Sequence, residues 1–564
     1  MPSLKLLLAV LPFALGAPTP HDKRASKPTV TIASPEATIV GSTGSNLDTF
    51  NGIPFALPPT GSRRLKPPQA ISTSLGAVQA TGTPRACPQF QTSTGKDDFP
   101  SSIMGELSDL QSSQQISNAG EDCLTLNVVR PSSVTPDSAL PVLVWIYGGG
   151  FEFGSTSMYN ADSLVSASVD SGMPIIFVAM NYRLGGFGFL AGSEILADGS
   201  ANLGLLDQRL ALEWVADNIK QFGGDPDKVT IWGESAGSIS VFDQMALYDG
   251  DHSYNGAPLF RGAIMDSGSI TPADPVDCPK GQAVYDAVVK AAGCSESEDT
   301  LKCLRDLDYT TFLNAANSVP SIFSYSSIGL SYLPRPDGKI LTQSPEVLAE
   351  RGLFADVPFI VGDQEDEGTI FALKQSNITT EAEVVDYLRD YMFGDASQEQ
   401  LKDLVANYAD IATDGSPFRT GLANNWYPQF KRLAAILGDV FFIFNRRVLL
   451  NVAAKVKSHV PSWSYLASYD HGTPYLGTFH ASDIVQVFEG IYDNYAAKSI
   501  RTYYYSFVYD LDPNSRAGNY MEWPQWSANK TLMNFYKDHA VLLTDDFRED
   551  AGEFFQANIG SFRG

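Results

Sequence analysis

The pentapeptide Gly233-Glu234-Ser235-Ala236-Gly237 follows the apolar run Val229-Thr230-Ile231-Trp232 and is followed by small residues. One hydroxyl between two glycines at a strand's end suits nucleophilic chemistry. A sharp strand-to-helix turn can expose the Ser235 oxygen above a sheet, with glycines where neighbouring backbone passes too close for a Cβ. A serine hydroxyl is barely nucleophilic without a base, and the chain has six histidines. In this strand-turn-helix context the order runs Ser, acid, His. That order sets aside His21 and His252 and leaves His459, His471, His480 and His539. His480, in "LGTFHASDIV", has a Gly-rich approach and a following apolar run that suit a loop above a sheet; His471, in "YDHGTP", is its rival.

The acid must sit on a loop just after a strand, placed to fix the imidazole tautomer and stabilise the imidazolium. "VPFIVGDQEDEGTIF" meets this with Asp363, Glu365, Asp366 and Glu367, any of which could equally belong to a solvated acidic loop. Acyl transfer also needs donors aimed at the developing oxyanion, each worth about 2.7–4 kcal/mol. "YGGGFEFG", after the run "VLVWI", supplies backbone N–H groups at Gly149 and Gly150, with that of Ala236 behind the nucleophile. A phosphate-cradling loop would need Gly-Lys-Ser/Thr or G-x-G-x-x-G there, and neither is present.

The elements that must position these groups alternate. "PVLVWIYGGG", "PIIFVAMNYR", "KVTIWGE", "GAIMDSGS" and "VPFIVGD" read as short buried strands. "GLLDQRLALEWVADNIKQFGG", with Leu206, Leu210, Trp214 and Ile219 near helical spacing, and "SAGSISVFDQMAL" read as helices. Strands alternating with helices predict an α/β fold: one large domain whose mostly parallel sheet is covered on both faces. The chain has 564 residues, 44% hydrophobic, enough for a large core, and its net charge of −25 argues against a nucleic-acid partner.

Residues 1–16, with Lys5 ahead of the apolar run Leu6–Leu15, read as a signal peptide, and 17–24, ending in Lys23-Arg24, as a propeptide. This leaves 25–564 as the mature domain of a secreted protein. The run is too short to span a bilayer, and "VFFIFNRRVLL" is interrupted by Arg446 and Arg447. Secretion makes five cysteines disulfide candidates. Cys294 and Cys303 flank a polar loop; Cys87 and Cys123 bracket a long segment whose closure would stabilise by roughly 3–4 kcal/mol. Cys278 is left over, either as a buried thiol or as an alternative partner for Cys294. Asn377 and Asn529 begin glycosylation sequons.

In order along nearly the whole mature chain, "NGIPFALPPTGSRRLKPP", "EDCLTLNVVRP", "YGGGFEFG", "NYRLGGFGFL", "GSANLGLLDQRLALEWVADNI", "FGGDPDKVTIWGESAGS", "LSYLPRPDG", "GDQEDEGT", "GSPF", "QFKRLAAILGD", "LGTFH" and "YDLDPN" resemble the type-B carboxylesterase/lipase family of α/β-hydrolases. The likeness is strongest to fungal lipases and sterol esterases of the Candida rugosa and Geotrichum type. It implies an α/β-hydrolase fold and the triad Ser235, Glu367 and His480, which selects His480 over His471. It carries over the oxyanion donors Gly149, Gly150 and Ala236, and the disulfides Cys87–Cys123 and Cys294–Cys303. Cys278 departs from the family pattern.

The resemblance also places a lid at about 88–122, where "FPSSIMGELSDLQSS" puts Ile103, Met104, Leu107 and Leu110 on one face of a helix. The alternative is an ordinary surface helix docked on the core. Exposing four such side chains would cost on the order of 5–10 kcal/mol. An open lid therefore needs lipid, detergent or a second subunit, as in a homodimer paired through open lids. "SIGLSYL", "GTIFAL" and "LGDVFFIF" match stretches that line an acyl tunnel in the resembling lipases, which makes Ile328, Leu330, Leu333, Ile370, Phe371, Leu437, Val440 and Phe441 tunnel candidates, each also readable as plain core. The implied activity is hydrolysis of long-chain acyl esters at lipid–water interfaces, without metal or organic cofactor. The alternatives are an esterase for small soluble esters and a non-catalytic, cholinesterase-like adhesion protein; the intact triad and oxyanion glycines argue against the second.

Overall fold

The computed structural model describes residues 27–90, 116 and 118–564. The expected signal peptide, the propeptide and the lid side chains Ile103, Met104, Leu107 and Leu110 lie outside the described residues. In chain order the first strands are β1 Thr29–Ala33, β2 Glu36–Val40, β3 Ser42–Gly44, β4 Leu47–Pro54, β5 Gly76–Gln79, β6 Thr125–Pro131, β7 Leu140–Ile146 and β8 Ile176–Met180. Then come β9 Gly224–Glu234, β10 Ser253–Tyr254, β11 Ala257–Pro258, β12 Gly262–Asp266, β13 Phe359–Gln364, β14 Ser462–Ala467, β15 Thr531–Phe535 and β16 Ala540–Thr544. Eleven of them form one sheet in the order β16-β15-β14-β13-β12-β9-β7-β8-β6-β4-β3.

The stretch from β8 to β15 is parallel throughout. Antiparallel strands finish the sheet at both edges: β6, β4 and β3 on one side, β16 on the other. All five strand runs read from the sequence fall in this parallel block, as β7, β8, β9, β12 and β13. Their sidedness explains why they read as unbroken apolar runs: every residue of β8, β12 and β13 is buried, because helices cover both faces. A parallel block also gathers the C-terminal ends of its strands at one edge. The turns after β7, β9, β13 and β14 therefore open on one side of the sheet, and the candidate residues sit in those turns.

The helix expected from "GLLDQRLALEWVADNI" spans Leu203–Asn218, but its buried surface differs from the expected stripe. Trp214 and Ile219 are buried, whereas Leu206 and Leu210 are only half-buried; Leu205, Leu212 and Val215 carry the deepest packing. The reason is polar traffic on the same helix. Asp207 makes a two-pronged buried ion pair with Arg183, 2.8 Å from its Nε and 2.7 Å from its Nη2, and Gln208 donates to Ser240 on the next helix. A helix packed on several sides has no single apolar stripe.

Cys87 is bonded to Cys123 and Cys294 to Cys303, while Cys278 is a buried free thiol whose sulfur accepts from the Gly281 N–H. Both sequon asparagines, Asn377 and Asn529, are exposed. The interrupted run "VFFIFNRRVLL" lies in the core, with Arg446 held between Asp363 and Asp545. Among the described residues no helix is long and apolar enough to cross a membrane.

On the helix Ala236–Ala246, Asp243 is fully buried and neither carboxyl oxygen has a hydrogen-bond partner among the described residues. Burial pushes its carboxyl up from 3.8 to about 8. The folded chain thus keeps a proton that the unfolded chain releases near pH 4, so this group's contribution to stability falls as pH rises from about 4 to 8. Asp243→Asn removes that dependence. Its stability relative to the parent is expected to grow between pH 5 and pH 8, by on the order of 4 kcal/mol. Thermal melts at both pH values check this, and a gap that stays constant would show that Asp243 is ionised in the fold.

Candidate active site

Ser235 joins the last residue of β9 to the helix Ala236–Ala246 with φ 57° and ψ −127°. A non-glycine residue in this region stores about 1–3 kcal/mol of strain, sustained only where its surroundings over-determine it. The flanking glycines show how they do so. A Cβ on Gly233 would lie 2.3 Å from the Gly237 oxygen, and one on Gly237 would lie 2.0 Å from the Ile146 oxygen at the end of β7. The turn is thus clamped between its own helix and the neighbouring strand. The Ser235 N–H also donates to the Asp266 carbonyl at the end of β12, 2.9 Å away.

The four acidic candidates after β13 separate cleanly. Asp363 is buried against the Arg446 guanidinium at 2.7 Å. Glu365 pairs with Arg419 toward the surface. Asp366 accepts from the Ser416 hydroxyl at 2.8 Å, the Phe418 N–H at 2.8 Å and the Thr478 N–H at 3.0 Å. Only Glu367 meets an imidazole: its Oε2 is 2.6 Å from His480 Nδ1, while its Oε1 accepts from the Gln364 N–H at 2.7 Å. Gly368 lets this loop press on the helix Phe430–Gly438, where a Cβ would lie 1.9 Å from the Ala434 oxygen. His480 Nε2 in turn is 2.8 Å from Ser235 Oγ. His471 contacts neither group and is partly exposed.

Asp366 does structural work that its sequence position hides. Its main chain bridges to Phe479, so one carboxylate ties the acid-bearing loop to the histidine-bearing loop. Burial, then the neighbouring Glu365 carboxylate, raises its carboxyl to about 7. Glu234 is a second acid that sequence reasoning passed over. Its Oε1 lies 3.4 Å from His480 Nε2 and has no hydrogen-bond partner among the described residues. Burial, followed by the Asp483, Glu367 and Asp266 carboxylates, pushes it well above the ordinary range. It therefore favours its neutral form. Its place directly before Ser235 was the available signal.

Gly149 and Gly150 follow β7 with φ of 104° and 61°, and their N–H groups find no acceptor among the described residues. A Cβ on Gly149 would lie 2.2 Å from the Phe153 oxygen, so this loop folds tightly back on itself. Free donors beside a serine, with Ala236 opening the helix directly after it, can hold a negatively charged oxygen.

Two cavities meet at Ser235. The first is bordered by Ile328, Leu330, Leu333, Val440 and Phe441, the second by Ile370, and Phe371 lines both. Leu437 is the exception among the expected residues: it is fully buried but borders neither cavity. In a regular α-helix Leu437 would share a face with Val440 and Phe441. Here the helix Phe430–Gly438 passes into a π-helical turn, Asp439–Ile443, whose extra residue shifts the phase. The same turn brings in Phe442, which the sequence reading missed. The Phe442 and Phe371 rings flank His480 with centroids at 4.7 and 5.0 Å. Ile322, in a half-buried loop without periodicity, borders both cavities and gave no sequence signal.

A family model described as the carboxylesterase family matches residues 26–550. The chain is 58% identical to a protein named secreted lipase 1 from Botryotinia fuckeliana, over 99% of each chain. It is 55% identical to a protein named secreted triacylglycerol lipase from Gibberella zeae, over 96% of this chain and 92% of that one. Among solved structures, EstA from Aspergillus niger superposes with a TM-score of 0.80 at 26% identity, covering 96% of this chain and 99% of that one.

The elbow's packing makes a prediction of its own. Gly237→Ala drives a methyl into the Ile146 carbonyl and is expected to abolish accumulation of folded protein or to lower its melting temperature by more than 10 °C, whereas Gly44→Ala, which meets nothing within 4 Å, is expected to change little. Expression and melting of the pair test the clamp; equal behaviour of the two would remove it.

Proposed function

The chain belongs to the carboxylesterase family, and from that premise we propose a secreted serine hydrolase that cleaves carboxylic esters of long-chain fatty acids through an acyl-enzyme. The observation that carries the reading is the unbroken relay from Glu367 Oε2 to His480 Nδ1 at 2.6 Å and from His480 Nε2 to Ser235 Oγ at 2.8 Å. His480 takes the Ser235 proton as the oxygen attacks the ester carbonyl. The N–H groups of Gly149, Gly150 and Ala236 hold the tetrahedral oxyanion. The alcohol departs with the proton from His480, and water repeats the sequence on the acyl-enzyme. Glu367 fixes the ring's tautomer and balances its charge in the transition state. Phe371 and Phe442 on the ring keep water from competing for its nitrogens.

Long acyl chains are favoured over small ones because apolar space extends from the serine in two directions. Lipid esters as substrates, and secretion, are further supported by the names of the relatives at 58% and 55% identity and by the leader-like N-terminus.

Ser235→Ala is expected to lower turnover by roughly 10⁶-fold, and Glu367→Gln by about 10⁴-fold with the fold intact, because the amide stabilises the wrong tautomer. A Ser235→Ala protein retaining a tenth of its activity would refute the assignment. Rates on tributyrin, triolein and cholesteryl oleate, below and above the concentration at which each forms an interface, test the substrate class. The expected result is a steep rise on triolein or cholesteryl oleate once an interface is present. Activity confined to dissolved tributyrin would reassign the protein to small esters.

A further inference from the structure

The first cavity is apolar for most of its wall, yet it carries three polar side chains that its role as an acyl slot does not use: Thr271, Lys280 and Asn445. Asn445 is buried on the helix Phe444–Val456. Its amide nitrogen donates to the carbonyls of Val440 at 3.2 Å and Phe441 at 3.1 Å, which fixes the orientation of the group. The opposite atom, Oδ1, is buried and has no hydrogen-bond partner among the described residues. The Thr271 hydroxyl is in the same position, buried and unpartnered. Lys280 is partly buried and makes no hydrogen bond or ion pair with any described residue. It stands in the first turn of the helix Pro279–Ala291, where a cation opposes the helix dipole, and burial together with Arg335 lowers its amine to about 8.

Orphaned polar atoms in a buried wall are uncommon and ask for a complement. Asn445 Oδ1 can only accept, and the Lys280 ammonium can only donate. A hydroxyl group can both donate to the one and accept from the other, and Thr271 can take either role. A carboxylate would meet the lone pairs of Asn445 Oδ1, and a methyl-terminated chain would leave all three groups unpaired.

Building on the proposed hydrolysis of acyl esters, we infer that this cavity selects acyl chains bearing a hydroxyl group along or at the end of the chain, with Lys280, Asn445 and Thr271 as the specificity-determining residues. The ester bond itself is still broken at Ser235; the hydroxyl is bound and not altered.

The test uses 4-nitrophenyl hexadecanoate beside its 10-hydroxy and 16-hydroxy analogues and the 16-carboxy analogue, all in one detergent. The expected result is a kcat/KM about tenfold higher for one hydroxylated ester than for the plain one, the factor that a single retained hydrogen bond to a charged group supplies. The carboxylated ester is expected to fall below the plain one. In Lys280→Met the ratio of hydroxylated to plain ester is expected to fall toward one, and in Lys280→Arg to persist. Calorimetric binding of 16-hydroxyhexadecanoate, 10-hydroxyhexadecanoate and hexadecanoate to the Ser235→Ala protein gives the same comparison without turnover or a cavity variant. Equal rates and equal binding for hydroxylated and plain chains would overturn the inference, as would a preference that survives Lys280→Met. A preference for the carboxylated ester would overturn it in favour of an anion site. Full activity on plain hexadecanoate with no hydroxyl preference would leave the ester-hydrolase reading standing, whereas inactivity on every member of the panel would remove that reading first.

Discussion

The site depends on how closely the main chain after β9 approaches the end of β7. The Gly237 backbone lies where a Cβ would come within 2.0 Å of the Ile146 oxygen, and that proximity leaves Ser235 no ordinary conformation to adopt. The serine's main chain is consequently fixed by backbone packing, which leaves its hydroxyl within hydrogen-bond reach of His480. Asp266 supports the same point from the other side. Its carbonyl holds the Ser235 N–H, while its buried carboxylate accepts from Trp232 at 2.7 Å, Tyr465 at 2.9 Å and Tyr504 at 2.7 Å. One residue thereby binds the ends of β9, β12 and β14 and the helix Tyr495–Asp510 beneath the serine. A serine held this way keeps its position while the histidine loop, anchored separately through Asp366, presents the His480 imidazole.

The surroundings of His480 are set by unequal hydrogen bonding of two buried carboxyls. Glu367 accepts from the Gln364 N–H and meets the imidazole, so both its oxygens have partners. Glu234, farther from the ring at 3.4 Å, has none for its Oε1, and burial followed by the surrounding acids pushes it toward its neutral form. Two carboxyl groups near one imidazole therefore differ in surroundings, one met by fixed donors and the other not.

Much of this was legible in the residues. The five parallel strands announced themselves as apolar runs ending in glycine or polar residues, and the Gly-x-Ser-x-Gly turn stood out because backbone crowding writes glycine into the sequence. Among Asp363, Glu365, Asp366 and Glu367, local sequence held no discriminating signal, since their partners Arg446, Arg419, Ser416 and His480 all lie more than 49 positions away. Family likeness had to choose, and it chose the residue that the fold brings to His480. Leu437 was misread because the π-helical turn at Asp439–Ile443 shifts the side-chain phase, and spacing arguments assume a constant 3.6 residues per turn. The half-buried Leu206 and Leu210 show the converse: the stripe was present, but Asp207 and Gln208 gave the helix a second buried side that hydrophobic spacing does not register.

The two cavities constrain how an ester lies across the serine. Ser235 and Phe371 border both, so the carbonyl carbon sits where the two spaces meet, and the acyl and alcohol portions must leave in different directions. His480 borders only the second, as do Gly148, Gly149 and Glu234, while the first extends from Gly150 and Ala236 past the π-helical turn toward Lys280 and Phe562. In the proposed mechanism the leaving alcohol takes its proton from His480, which would make the second cavity the exit for the alcohol and the first the slot for the acyl chain. The assignment follows from the position of one ring nitrogen. It also explains why unpaired polar groups in the first cavity bear on the identity of the acid and those beside His480 on proton transfer.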